Sequence, residues 1–112
     1  MAIQLVHVRR TPGEETTIEP RDERRLAELA KAGDEEAFAE LVRGRSDSVV
    51  AFLRRMLGDT EDARDVAQLA FLRVWENLPR YDPSFAFSTW LFRIAGNLAI
   101  DALRARGTRA RT

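Results

Sequence analysis

The chain has 112 residues, with 18 basic and 18 acidic side chains, one histidine and no cysteine. That length suits one small domain, and the cysteine count excludes disulfides, cysteine-containing zinc sites and thiol catalysis while permitting a reducing, cytoplasmic location. No apolar run approaches the roughly 18 residues of a membrane span, so no membrane insertion is expected. The zero net charge hides a gradient. Residues 1–43 carry seven basic and ten acidic groups, residues 44–83 six and seven, and residues 84–112 five basic groups against Asp101 alone. Such asymmetry suggests two unlike partners, an acidic middle meeting basic protein and a basic end meeting nucleic acid.

Residues 1–21 show no sustained period and contain Pro12, Gly13 and Pro20, which predicts a flexible N-terminal arm. Beyond it everything reads as helix. Asp22 is a candidate cap for a helix carrying Leu26, Leu29 and Ala30, with Gly33 as its stop. Asp34 caps the next, where Phe38, Leu41 and Val42 are followed by Val49, Val50, Leu53, Met56 and Leu57 up to Gly58. Gly44 and Ser46 interrupt that stripe, leaving one kinked helix or two as open alternatives. Thr60 is the expected N-cap of a third helix, with Glu61 and Asp62 at the positive end of its macrodipole. Its buried face is Ala63, Val66, Ala67, Ala70, Phe71, Val74, Trp75 and Leu78, and Pro79 stops it. An aromatic-rich loop over 80–87 leads to a last helix starting at Ser88 or Thr89. Leu91, Ile94, Ala95, Leu98, Ala102 and Ala105 face inward, and Gly107 closes the pattern. The fold expected is all-α, a compact bundle of about four helices over 22–106, with 107–112 beginning a basic linker.

Two surfaces break simple amphipathicity. At about 100° per residue, Leu69 and Leu72 point away from the buried face of the 60–78 helix. They share that outer side with Asp65 and Glu76, flanked by Asp62 and Gln68. They are either covered by the N-terminal helix, ordinary exposed leucines, or apolar anchors of a protein-docking face with an acidic rim. On the last helix, Arg93, Asn97 and Arg104 align, with Trp90 and Asp101 at the border. Guanidinium groups pair with phosphates, amides read base edges, and aromatics stack on unpaired bases. The plain alternative is a solvated face with Trp90 in the core and Tyr81, Phe85 and Phe87 as loop anchors.

Enzyme signatures are missing: no Gly-rich phosphate loop, no HExxH, no Ser–His or Cys–His pair. No catalytic residue, metal or cofactor is therefore expected.

Three blocks are more specific: DEEAFAELV (34–42), DTEDARDVAQLAFLRVWENLPRYD (59–82) and FSTWLFRIAGNLAIDALR (87–104). Together they resemble region 2 of bacterial sigma factors of the extracytoplasmic-function branch, over about residues 24–106. The resemblance implies a helical bundle that binds the β′ clamp helices of core RNA polymerase and recognises and melts the promoter −10 element, capturing non-template bases as single strand. It assigns polymerase binding to Asp62, Asp65, Gln68, Leu69, Leu72 and Glu76. It assigns −10 DNA contact to Tyr81, Ser84, Phe85, Ser88, Thr89, Trp90, Arg93 and Asn97, with the 81–85 loop cradling a flipped base. An anti-sigma factor is a further implied partner. Two positions depart from the family pattern: Leu69, usually acidic, and Gly96, usually larger and often basic. The C-terminal −35-binding domain of such factors is absent from these residues, as expected of an excised domain. The competing function is a protein-interaction domain with no DNA role. A duplex-reading helix-turn-helix is disfavoured, because the last helix lacks a dense polar N-terminus.

Overall fold

The computed structural model describes residues 20–110 of the chain. Residues 1–19 of the expected arm lie outside that range, and Pro20 and Arg21 already belong to the first helix. Four α-helices follow in order: α1 (Pro20–Lys31), α2 (Glu35–Leu57), α3 (Thr60–Asn77) and α4 (Phe87–Ala110). A 3-10 turn, Leu78–Arg80, extends α3 toward the loop. There is no strand among the described residues, so the all-α bundle is as expected.

The boundaries follow from local chemistry. α1 opens on Pro20, whose missing N–H falls where a helix has no acceptor for it, so Asp22 sits in the first turn instead of capping. Gly33 ends α1 in the left-handed region at φ 104°, and the Asp34 N–H returns to the Leu29 carbonyl at 3.0 Å. The Asp34 carboxylate then caps α2 by accepting from the Ala37 N–H at 3.1 Å. Gly58, at φ 77°, repeats the stop, and Asp59 repeats the start by accepting from the Asp62 N–H at 2.9 Å. Asp59 thus takes the capping role expected of Thr60, which is the first helical residue.

α2 runs unbroken through Gly44 and Ser46. The Ser46 hydroxyl donates to the Val42 carbonyl one turn back at 2.6 Å, so its polar group is satisfied without breaking the ladder. Gly107 does not end α4, which continues to Ala110. One glycine costs a helix about 1 kcal/mol, and Arg106 fastens this stretch to the bundle through the Leu57 carbonyl at 2.9 Å. α4 begins one residue early, at Phe87, which is buried.

The core joins Phe38, Leu41, Val49 and Leu53 of α2 to Ala63, Ala67, Ala70 and Val74 of α3 and to Leu91, Ala95 and Ala99 of α4. Alanines at these crossings let the helix axes approach closely. Aromatic pairs fill the wider gaps: Phe38 with Trp75 at 5.0 Å between centroids, and Phe52 edge-on to Phe92 at 5.2 Å. Ile94, Leu98 and Ala102 are only half-buried, and Ala105, expected inward, is exposed. α1 is seated on α2 by one ion pair. Glu23, buried, accepts from Arg45 Nε at 2.6 Å and from its terminal nitrogen at 2.8 Å. That fork matches guanidinium to carboxylate geometry, and it holds the Arg45 pKa above its ordinary value chiefly through the hydrogen bond to Glu23.

Candidate functional site

The outward side of α3 is laid out as its periodicity predicts. Asp65, Gln68, Leu69, Leu72 and Glu76 are all exposed, on the side opposite Ala63, Ala67, Ala70 and Val74. Leu69 is 40% and Leu72 45% exposed, so the N-terminal helix does not cover them. Beside them a cleft of about 240 Å³ opens between α2 and α3, walled by Val42, Val50, Ala67 and Phe71, with Arg64 and Gln68 at its rim. Gln68 belongs to both, so the leucine face runs continuously into an apolar groove. Asp62 differs from its neighbours. It is half-buried at the start of α3 and ion-paired to Arg106 of α4, so its carboxylate already has a partner within the chain.

The second surface gathers around the loop over residues 81–86. Tyr81, assigned to DNA contact by the resemblance and to a loop anchor by the plain reading of its type, is buried, as an anchor would be. Its hydroxyl donates to the Phe85 carbonyl at 2.5 Å, and its ring stacks on Trp90 and meets Phe87 edge-on. Burial pushes the phenol pKa up. The Asp82 carboxylate accepts from the Ser84 N–H at 2.9 Å, and the Phe85 N–H returns to the Asp82 carbonyl at 3.0 Å, closing a tight turn. Those Ser84 hydrogen bonds hold the Asp82 pKa below its ordinary value. Two further bonds reach the loop from α1: Arg24 Nε to the Pro83 carbonyl at 2.9 Å, and Lys31 Nζ to the Tyr81 carbonyl at 2.6 Å. Phe85 is left pointing outward, 63% exposed, although nothing about its residue type favours water.

Two clefts flank Trp90. One, about 270 Å³, lies between the loop and the start of α4 and is lined by Arg80, Tyr81, Asp82, Phe85, Thr89, Trp90 and Arg93. The other, about 360 Å³, lies between α3 and α4 and includes Arg73, Asn77, Arg80, Trp90, Asn97 and Asp101. Arg93 and Asn97, one turn apart on α4, therefore face different clefts, and Trp90 with Arg80 forms the divide. Ser84 and Ser88 line neither. Trp90 is half-buried, so it combines the core and surface roles left open by its spacing. Arg73, Asn77 and Arg80 are not singled out by the sequence pattern, because they sit on α3 and its 3-10 extension. Only the packing of α3 against α4 brings them beside Trp90. Chemically, each cleft offers a flat aromatic wall with guanidinium at the edge, suited to an unpaired base and its phosphate. No cluster of three or more metal-ligating side chains exists among the described residues, and no helix among them is long and apolar enough to cross a membrane.

The family Sigma-70 region 2 matches residues 41–109. The ECF RNA polymerase sigma factor SigW of Bacillus subtilis is 45% identical over 76 residues, 68% of this chain and 41% of that protein. The RNA polymerase sigma-H factor of Pseudomonas aeruginosa is 38% identical over 87 residues, 78% of this chain and 45% of that one. The chain thus spans less than half the length of these curated relatives. Among solved structures, an engineered region 2 of sigmaE in complex with GTAAAA superposes with a TM-score of 0.72 at 35% identity, covering 87% of this chain and 96% of that one. CnrH in complex with the cytosolic domain of CnrY gives 0.68 at 32% identity, covering 79% and 61%.

Proposed function

The chain belongs to the sigma-70 region 2 family of bacterial ECF sigma factors, and from that premise we propose that it docks on core RNA polymerase through α3 and opens promoter DNA with the loop and α4. The observation that carries this reading is the coexistence of two unlike surfaces on one small bundle. α3 presents Leu69 and Leu72 among Asp65, Gln68 and Glu76, while Trp90 divides two arginine-edged clefts on the neighbouring face. The first suits the paired helices of the β′ clamp: leucines supply buried area, and carboxylates steer basic clamp residues and fix register. Asp62 contributes to that rim only by exchanging Arg106 for a clamp residue.

The second surface suits the non-template strand of a −10 element. A base leaving the stack enters the cleft beneath Phe85 and lies against Trp90, while Arg93 and Thr89 hold its edges or backbone. The next nucleotides cross Arg80 toward Asn97 and Arg73. Tyr81 acts from below by shaping the loop, and Ser84 acts by keeping the turn in place. Binding energy for the separated strand, not covalent chemistry, drives opening, so no catalytic residue or cofactor is needed. Work of this kind belongs to the bacterial cytoplasm, where polymerase is.

A second reading is favoured by the relative that was solved with the cytosolic domain of another protein: an anti-sigma factor covers the same leucine face and competes with polymerase. A variant of that reading gives the domain no DNA role at all. Titrating the labelled chain with core polymerase, then adding single-stranded −10 DNA, separates them. Saturable polymerase binding followed by DNA capture supports initiation. Polymerase binding without DNA capture leaves the protein-interaction domain alone, and no polymerase binding defeats both.

A further inference from the structure

α1 touches neither cleft and carries none of the exposed leucines of α3, yet two of its side chains end on the backbone of the 81–86 loop. Arg24 and Lys31 lie seven residues apart, two turns along one side of the helix. They donate to the carbonyls of Pro83 and Tyr81, at 2.9 and 2.6 Å. Both bonds are charge-assisted, and each satisfies a carbonyl that the loop has no strand or helix to use. Lys31 is the chain's only lysine among 18 basic residues. A flexible point-charge ammonium is suited to a single carbonyl where a guanidinium fork has no second acceptor. α1 is itself fixed: one residue before Arg24, Glu23 is forked by Arg45 of α2 in a buried pair.

We infer that Arg24 and Lys31 are positioning residues for promoter recognition, with α1 acting as a brace that holds the 81–86 loop so that Phe85 stays beside the cleft of Trp90 and Arg93. This rests on the promoter reading above. Internal bonds close the turn at Asp82, Ser84 and Phe85, but they do not tie it to the bundle. Apart from the buried Tyr81 ring and the Trp90 N–H on the Ala86 carbonyl at 3.3 Å, at the far end of the loop, the two α1 side chains supply that tie. Without them the loop loses its address, and the turn closed on Asp82 opens more often. Exposed Phe85 then samples several positions over the cleft, and a flipped base meets a wall that is no longer pre-formed, at a cost in affinity and in discrimination.

The test uses Arg24→Met with Lys31→Met, each alone and together, and Arg25→Met as the charge control. Arg25 is an exposed α1 neighbour, so its removal changes net charge equally. The probes are single-stranded GTAAAA and its six single-position replacements. The double variant is expected to bind GTAAAA about tenfold more weakly and to discriminate less among the replacements. The salt dependence of each single variant should match that of the Arg25→Met protein. Amide exchange at Ser84 and Phe85 should quicken by about tenfold while core amides of α2 and α3 hold. Arg24→Lys and Lys31→Arg should restore most of both effects. Unchanged exchange at Ser84 and Phe85 overturns the brace whatever the DNA result. So does a salt slope reduced by about 0.7 per arginine or lysine removed, which marks direct phosphate contact. If the double variant unfolds, the single variants decide by the same readouts. A wild-type chain that binds none of the hexamers defeats the promoter reading instead, and the exchange data still judge the brace.

Discussion

The Tyr81 and Trp90 rings stack with centroids 4.9 Å apart and planes inclined by 28°, so the loop and α4 share one aromatic platform. Trp90 shows its outer face to both clefts, and Tyr81 backs it from inside the bundle while its hydroxyl reaches the Phe85 carbonyl. Disturbing Tyr81 should therefore be felt at Phe85 and Trp90 together, although Tyr81 itself is closed to solvent.

That linkage has a pH signature. Burial raises the Tyr81 pKa above the ordinary tyrosine value. The folded state therefore favours the neutral phenol. The resulting stabilisation is fully present below the unfolded value of about 10 and is lost as pH rises through the higher folded value. Because Tyr81 is the only tyrosine in the chain, absorbance at about 295 nm reports it alone, through the phenolate band that every ionised tyrosine shows. The expected midpoint lies above 10, with Trp90 fluorescence changing in step. A midpoint at or below 10 would contradict the burial argument.

On the polymerase side, Leu69→Asp and Leu72→Asp should each weaken binding to core polymerase by about tenfold or more, as removal of an apolar anchor does. The fold should be retained with a melting temperature lowered by only a few degrees, from lost helix propensity, because neither side chain belongs to the buried core. Asp65→Ala should act mainly on the association rate and its salt dependence. Equal affinity for all of these proteins would move the docking face elsewhere.

The two clefts can be told apart by arginine and asparagine substitutions. Arg93→Ala and Arg80→Ala should lower affinity for single-stranded −10 DNA and flatten the salt dependence by about 0.7 for each phosphate that is no longer neutralised. Asn97→Ala should instead reduce affinity with no change in salt slope, since an amide carries no charge. Binding indifferent to all three would remove DNA from this surface.

The Glu23–Arg45 pair yields a stability prediction. Glu23→Gln leaves Arg45 facing a neutral partner in a largely enclosed site. Breaking a buried pair costs about 3–5 kcal/mol, and the partial exposure of Arg45 brings the expectation nearer 2 kcal/mol. Glu23→Met combined with Arg45→Met should be less damaging than either change alone. Chemical denaturation measures all of these. Additive losses would show that the pair is not acting as a unit.

Gly96 offers a gain. A methyl group there would meet Phe52 at 3.7 and 3.8 Å, ordinary van der Waals distances, so nothing in the packing requires glycine. Gly96→Ala should stabilise the bundle by about 0.5–1 kcal/mol through helix propensity alone. A drop in stability would mean that Phe52 cannot hold its edge-on packing with Phe92 once the methyl group is present.

The all-α class, the inward face of α3 and the outward direction of Leu69 and Leu72 were legible in the residues, whereas one helix or two over 34–57 and cover of the leucines by α1 were left open. A helical repeat assigns each side chain to a face, and that assignment needs no knowledge of neighbouring helices. Caps were legible only to within a residue: Asp59 and Thr60 are both good capping types, and backbone geometry selected between them. The fate of Gly44, Ser46 and Gly107 could not be read from propensity, because a packed partner or one hydrogen bond outweighs about 1 kcal/mol of local preference. Tertiary structure alone decided what lies around Trp90. Arg73, Asn77 and Arg80 come to it from α3, while Arg24 and Lys31 reach the loop over separations of 59 and 50 residues. Such long-range bonds leave no periodic trace, since they depend on how helix axes cross. The chain's own pattern thus determined which way each side chain points, toward the core or away from it. Only folding determined which exposed groups stand together, because a face is a local property and a site is not.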